Sequence, residues 1–150
     1  MNIVQLMESF KNAFAGLKHT LKTQRNMRIH FIIAILALLL SVFLKISRTE
    51  LLMVFFSIFL VISMELFNTA VEIIIDMISS EYNIRAKIVK NVSAAAVLVA
   101  AFNAVIVAYL VFLDKLIQIL KEIALAWYLI PLFLFIVLAC FILYRARRVR

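Results

Sequence analysis

The chain has 150 residues, 67% of them apolar, and carries sixteen Lys and Arg against eight Asp and Glu, for a net charge of +8. Soluble domains average about 45 to 50% apolar, so this composition describes an integral membrane protein. One Gly and one Pro leave no room for a Gly-rich phosphate loop, a dinucleotide-binding fingerprint or turn-rich β architecture, and the lone Cys140 excludes an intrachain disulfide or a thiolate zinc site.

Taken in chain order, Ile3, Leu6, Met7, Phe10, Phe14, Leu17 and Leu21 recur at helical spacing, with Lys11, Lys18, His19 and Lys22 mostly opposite. That pattern predicts an amphipathic helix lying at the membrane surface over about residues 3–21. Membrane spans are expected over about 29–46, 50–75, 92–113 and 125–144, each long enough to cross the hydrocarbon. The first lacks a small-residue cleavage pattern and is expected to stay in the mature chain. Residues 76–91 read as a loop, and Asp114 to Glu122 as a short amphipathic connector. Pro131 falls early in the fourth span, where neighbouring helices tolerate a kink. The expected fold is all-α: a polytopic helical membrane protein with an N-terminal surface helix, a three-span core over 1–115, and a connector with an extra span and basic tail over 116–150.

Positive charge orients these spans. With the N-terminus in the cytoplasm, that side holds Lys11, Lys18, Lys22, Arg25, Arg28, Arg85, Lys87, Lys90, Arg145, Arg147, Arg148 and Arg150, twelve of the sixteen cations. Both termini and the 76–91 loop are therefore expected in the cytoplasm, the chain lying in the bacterial cell membrane. The net charge reads as a membrane signal, the Arg tail meeting anionic headgroups, and no aromatic-basic interleaving calls for a nucleic-acid partner.

The second span ends on Glu65-Leu-Phe-Asn68-Thr-Ala-Val-Glu72-Ile-Ile-Ile-Asp76. Glu65, Asn68, Glu72 and Asp76 are three and four residues apart and fall along one helix face. An unpaired carboxylate in hydrocarbon costs about 2.5 kcal/mol or more, so this face must look into protein, water or a bound cation. A helix end emerging into water accounts for Asp76 easily and for Glu65 poorly. Carboxylates beside Lys87 and Lys90 at the edge of a bilayer suit a metal-bound nucleotide meeting a lipid headgroup.

Glu65-Leu-Phe-Asn-Thr-Ala-Val-Glu72, Asp76, Ser80-Glu-Tyr82, Ala86-Lys87-Ile-Val-Lys90-Asn91 and Ala94-Ala-Ala-Val-Leu98 closely resemble the prokaryotic diacylglycerol kinase and undecaprenol kinase family, as do Gly16-Leu-Lys18 and Arg25-Asn-Met-Arg-Ile-His30 upstream. The resemblance covers roughly residues 8–115 and leaves the fourth span outside. It implies a homotrimer that phosphorylates a membrane lipid alcohol with MgATP and needs no Walker or protein-kinase motif. Carried over by position, it implies Glu65 as general base, Asn68 as a hydrogen-bonding group on substrate or phosphate, and Glu72 as a Mg²⁺ ligand on the nucleotide. Gln24 falls at the second metal position. Asp76, Glu81, Tyr82 and Asn83 would contact the nucleotide, and Lys90 and Asn91 would sit at its phosphates. Tyr82 could equally be an interfacial anchor, and Lys87 a membrane-surface one.

Two positions depart from the family pattern, which has Glu at Gln24 and Asp at Asn91; each keeps an oxygen and loses a charge. The Asn-Thr-Ala and Arg-Asn-Met-Arg-Ile-His wording resembles the Gram-positive branch, which favours undecaprenol over diacylglycerol. A non-catalytic membrane assembly subunit is the alternative. An ion or proton carrier ranks last, because the first and fourth spans offer no polar path.

Overall fold

The computed structural model describes residues 2–79 and 83–148, with the side chains of 126, 128 and 138–148 left aside. Every regular element among the described residues is an α-helix: α1 (Ile3–Thr23), α2 (Arg25–Phe43), α3 (Arg48–Ile78) and α4 (Ile84–Arg148). The chain divides into two compact units, Met1–Val111 and Phe112–Arg150. Glu81 and Tyr82 lie outside the described residues, as do the side chains of Cys140 and the Arg tail.

In the first unit α1 buries little. Ile3, Leu6, Met7, Phe10 and Phe14 are exposed, and Thr20 is its one buried residue, as suits a helix whose apolar face meets lipid. Gln24 alone separates α1 from α2. Its backbone is extended (φ −94°, ψ 119°), and its N–H donates to Thr20 O at 2.8 Å. One non-helical residue thus turns the surface helix into the first apolar one.

The turn from α2 to α3 is a Schellman motif. Ile46 N–H donates to Ser41 O and Lys45 N–H to Val42 O, each at 3.2 Å, while Lys45 takes the left-handed conformation at φ 49° that glycine usually fills. Ser47 then opens α3 with a capping box. Glu50 N–H donates to Ser47 Oγ at 3.3 Å, and Ser47 N–H donates to Glu50 Oε2 at 2.6 Å, so two donors at the helix start are satisfied reciprocally.

Among the described residues, three helices are long and apolar enough to cross a membrane: α2, α3, and α4 through Val137. One expected boundary is corrected. The loop is shorter than 76–91, because α3 continues to Ile78 and α4 begins at Ile84. Hydropathy marks where hydrocarbon ends, whereas a helix can run on into the interface. Asn83 sets the true start of α4: its Oδ1 accepts Arg85 N–H at 2.8 Å and Ala86 N–H at 3.4 Å, an N-cap that satisfies first-turn donors.

The amphipathic connector expected over 114–122 is helical, as is everything from Ile84 to Arg148. The segment contains no Gly, Pro or Asn to end a helix, and Gln118 Nε2 donates to Glu122 Oε1 at 3.1 Å one turn on. The expected third and fourth spans thus fall within one helical element, and Pro131 stands inside it.

Candidate active site

The buried residues of α3 are Val54, Ser57, Val61, Glu65, Asn68 and Thr69. Their three- and four-residue spacing makes one stripe, with Ser57 between two valines in its first half and only polar residues from Glu65 on. Glu65 is 1% exposed and, with Met27 of α2, is one of two large side chains that are fully buried among the described residues. Its Oε2 is buried and has no hydrogen-bond partner. Buried polar atoms are nearly always paired, and the exceptions call for an explanation in function or strain.

Beside Glu65 runs a chain of four side chains. Ser93 Oγ, on α4, donates to Asn68 Oδ1 at 2.6 Å; Asn68 Nδ2 donates to Glu72 Oε1 at 3.0 Å; Gln24 Nε2 donates to Glu72 Oε2 at 3.3 Å. Both oxygens of one carboxylate are therefore held, each by an amide from a different part of the chain. Gln24 reaches α3 because its extended backbone releases its side chain from either helix cylinder. These are hydrogen bonds to an ionisable acceptor, the stronger kind.

One turn beyond Glu72, Asp76 pairs with Lys90 of α4. The two residues line an open cleft of about 300 Å³ together with Asn83, Lys87 and Asn91. Asp76 is 67% exposed and Lys90 36%, and exposed ion pairs contribute about 0 to 1 kcal/mol. A phosphate group entering the cleft can take Lys90 at little expense. Among the described residues, no three His, Cys, Asp or Glu side chains gather into a self-sufficient metal site.

The structure thus brings Gln24, Asn68 and Glu72 into one bonded cluster next to Glu65, and gathers Asp76, Asn83, Lys90 and Asn91 at an adjoining cleft. Lys87 belongs to that cleft as well. Ser93 was missed as a site residue in sequence. For Ser93 the available signal was its position three residues after Lys90, on the same helix face.

Comparison with known proteins identifies the family. The sequence pattern of the family described as prokaryotic diacylglycerol kinase matches residues 11–112. An undecaprenol kinase of Bacillus subtilis is 34% identical over 112 residues, which are 75% of this chain and 91% of the relative. A diacylglycerol kinase of Synechocystis is 34% identical over 116 residues, 77% of this chain and 66% of that protein. A diacylglycerol kinase of Haemophilus influenzae is 30% identical over 98 residues, 65% of this chain and 83% of its own. The chain belongs to the prokaryotic diacylglycerol kinase family, and with its apolar helices it is a membrane lipid kinase.

Proposed function

We propose that the chain transfers the γ-phosphoryl group of MgATP to the hydroxyl of a membrane lipid alcohol, with undecaprenol as the preferred acceptor. The observation that carries this reading is the fully buried Glu65, its Oε2 without a partner, beside a carboxylate that two amides hold in place. In the transfer, the lipid oxygen bonds to the γ-phosphorus and the bond from that phosphorus to the bridging oxygen breaks. The hydroxyl proton passes to Glu65, and ADP leaves with the electrons of the broken bond. Glu65 is the base, and Asn68 positions the acceptor or the phosphate.

The donor set fits a Mg²⁺ that arrives on a nucleotide. Mg²⁺ prefers hard oxygens and usually takes one or two carboxylates, with phosphates and water completing its shell. Glu72 supplies such a carboxylate, and Gln24 supplies an amide oxygen when its side-chain amide turns over from the orientation in which its nitrogen meets Glu72. When bound, the ion neutralises charge on the phosphates and orients the transferred group. Lys90 leaves Asp76 for the phosphates; Asn83, Asn91 and Asp76 contact the nucleotide, joined by Glu81 and Tyr82.

The kinase works as a homotrimer in the bacterial cytoplasmic membrane, with its N-terminus and the α3–α4 turn on the cytoplasmic side. Undecaprenol is preferred on the name of the Bacillus subtilis relative and its 91% coverage. The non-catalytic reading draws on Gln24 and Asn91 alone, and the three relatives are all named as kinases. The deciding experiment supplies purified protein in vesicles with γ-labelled ATP and, separately, undecaprenol and diacylglycerol. Label is expected in undecaprenyl phosphate above all. Transfer to neither lipid overturns the reading.

A further inference from the structure

Ser93 is a serine in an apolar stretch of α4, where nothing in its immediate sequence requires a hydroxyl. Its Oγ lies 2.6 Å from Asn68 Oδ1 and 2.9 Å from the carbonyl of Lys90, one turn back on its own helix. The hydroxyl has one proton for two acceptors. The Lys90 carbonyl is the ordinary local partner of a helical serine. The shorter contact is the one made across to α3.

That contact decides which way the Asn68 amide faces. An asparagine amide has an acceptor end and a donor end of nearly the same shape, and its surroundings choose between them. With the Ser93 hydroxyl donating to Oδ1, Nδ2 is directed at Glu72 Oε1, where the separation is 3.0 Å. Turned over, the amide would set its oxygen against the Glu72 carboxylate and its nitrogen against Ser93. Asn68 is buried at 7% exposure and Ser93 is half-buried, so at the Asn68 amide solvent offers a poor substitute for either partner.

We infer that Ser93 is a positioning residue: its hydroxyl fixes the orientation of the Asn68 amide, and through it holds Glu72 in the attitude that receives Mg²⁺-nucleotide. The inference rests on the kinase reading and adds to it a residue that touches neither metal nor nucleotide. It also gives a physical link between the two halves of the site. Ser93 bonds at once near Lys90, in the phosphate cleft, and to the α3 carboxylate cluster, so a shift of α4 on nucleotide entry would be felt at Glu72.

The test uses the full chain in phospholipid vesicles and reads the Mg²⁺ concentration needed for half-maximal binding of a fluorescent ATP analogue, alongside the melting temperature. Ser93→Ala is expected to raise that concentration about fivefold, the effect of losing roughly one net hydrogen bond. Ser93→Thr, which keeps the hydroxyl, is expected to restore it to within about twofold of the parent. In an Asn68→Leu background, Ser93→Ala should change nothing further, because the residue through which it acts is gone. An unmoved Mg²⁺ requirement in Ser93→Ala overturns the inference, whether or not the melting temperature falls. So does an effect that persists undiminished in Asn68→Leu, or a Ser93→Thr protein as impaired as Ser93→Ala. A parent chain that binds no nucleotide at any Mg²⁺ concentration overturns the kinase reading itself, which separates the two failures.

Discussion

Asn68 and Glu72 stand one turn apart on α3 with their side chains joined, Nδ2 of the amide donating to Oε1 of the carboxylate at 3.0 Å. That bond occupies one Glu72 oxygen while Gln24 occupies the other, so the carboxylate is oriented before anything binds. Preorganised groups need little rearrangement at the moment of reaction, and that is their main advantage in a site that handles concentrated negative charge.

Glu65→Gln is expected to lower phosphoryl transfer by about 10² to 10⁴, the usual range for loss of a general base, with insertion and helix content retained. The amide keeps the side-chain volume at a position that is 1% exposed. It also places a neutral group where a buried carboxylate oxygen now lacks a partner, so the variant should melt no lower than the parent. Near-normal turnover in purified Glu65→Gln would remove Glu65 from the role of base.

Glu72→Gln should act differently, raising the Mg²⁺ needed for half-maximal transfer while lowering the rate less at saturating metal. The substitution leaves an oxygen but removes the charge that draws a hard cation. It also introduces amide hydrogens where Asn68 and Gln24 already point theirs, so one of those side chains must turn over. A Mg²⁺ titration of transfer in vesicles reads the effect directly; superimposable curves would exclude Glu72 as a ligand.

Much of this arrangement was readable from residues alone, for a specific reason. Glu65, Asn68 and Glu72 are conspicuous because hydrocarbon tolerates such groups badly, and helical periodicity then places them on one side. The surface helix was equally legible from its apolar stripe. What hydropathy could not show was where helices end. Residues 76–78 and 84–91 are helical although Asp76, Arg85, Lys87, Lys90 and Asn91 interrupt their apolar residues, since the polarity of a helix reports its surroundings more than its hydrogen bonding. Asn83 was expected at the nucleotide, and its visible task is to cap α4. Ser93 carries no charge and opens an apolar run, so its position one turn after Lys90 is a weak signal and its contact across to α3 is what reveals it. Gln24 was placed by resemblance, but the extended backbone that frees its side chain is a property of the junction between α1 and α2.

Lys45→Gly should stabilise the folded protein. Lys45 holds φ at 49°, a conformation that disfavours any residue with a Cβ by about 1 to 2 kcal/mol. Glycine removes that strain and loses about 0.5 to 1 kcal/mol through its freer unfolded chain, so a net gain of about 0.5 to 1 kcal/mol is expected. Unfolding of the two proteins in the same detergent, followed by circular dichroism, measures the difference. The same position serves to test topology.

With the native Cys140 replaced by Ser, a cysteine at Lys45 should react with a membrane-impermeant thiol reagent added outside intact cells, and a cysteine at Asn83 should not. The expectation follows from eight cations, Lys11, Lys18, Lys22, Arg25, Arg28, Arg85, Lys87 and Lys90, flanking the start of α2 and the α3–α4 turn, against Lys45 and Arg48 at the α2–α3 turn. Lys45 lies in the α2–α3 turn, at the other end of α3. Labelling at Asn83 and protection at Lys45 would invert the topology.

Gln24→Glu brings the strongest conflict of charge and is the most informative change at the metal position. Gln24 Nε2 now donates to Glu72 Oε2 at 3.3 Å, so a carboxylate there faces another carboxylate at hydrogen-bond range and the donor is lost. Without metal the two charges repel, and the variant should melt lower than the parent. With Mg²⁺ present the same pair becomes two hard anionic ligands, which suits the ion better than one carboxylate and an amide. Charge-assisted contacts contribute about 1.5 to 3 kcal/mol, which corresponds to Mg²⁺-nucleotide affinity higher by about tenfold or more. Thermal melts with and without Mg²⁺, and nucleotide binding across a Mg²⁺ titration, read both halves of the effect. A melting temperature that falls in chelator and recovers with Mg²⁺ places Gln24 at the metal. A melting temperature indifferent to Mg²⁺ would leave Gln24 as a structural partner of Glu72 alone, and the Mg²⁺ would then rest on Glu72 and the phosphates.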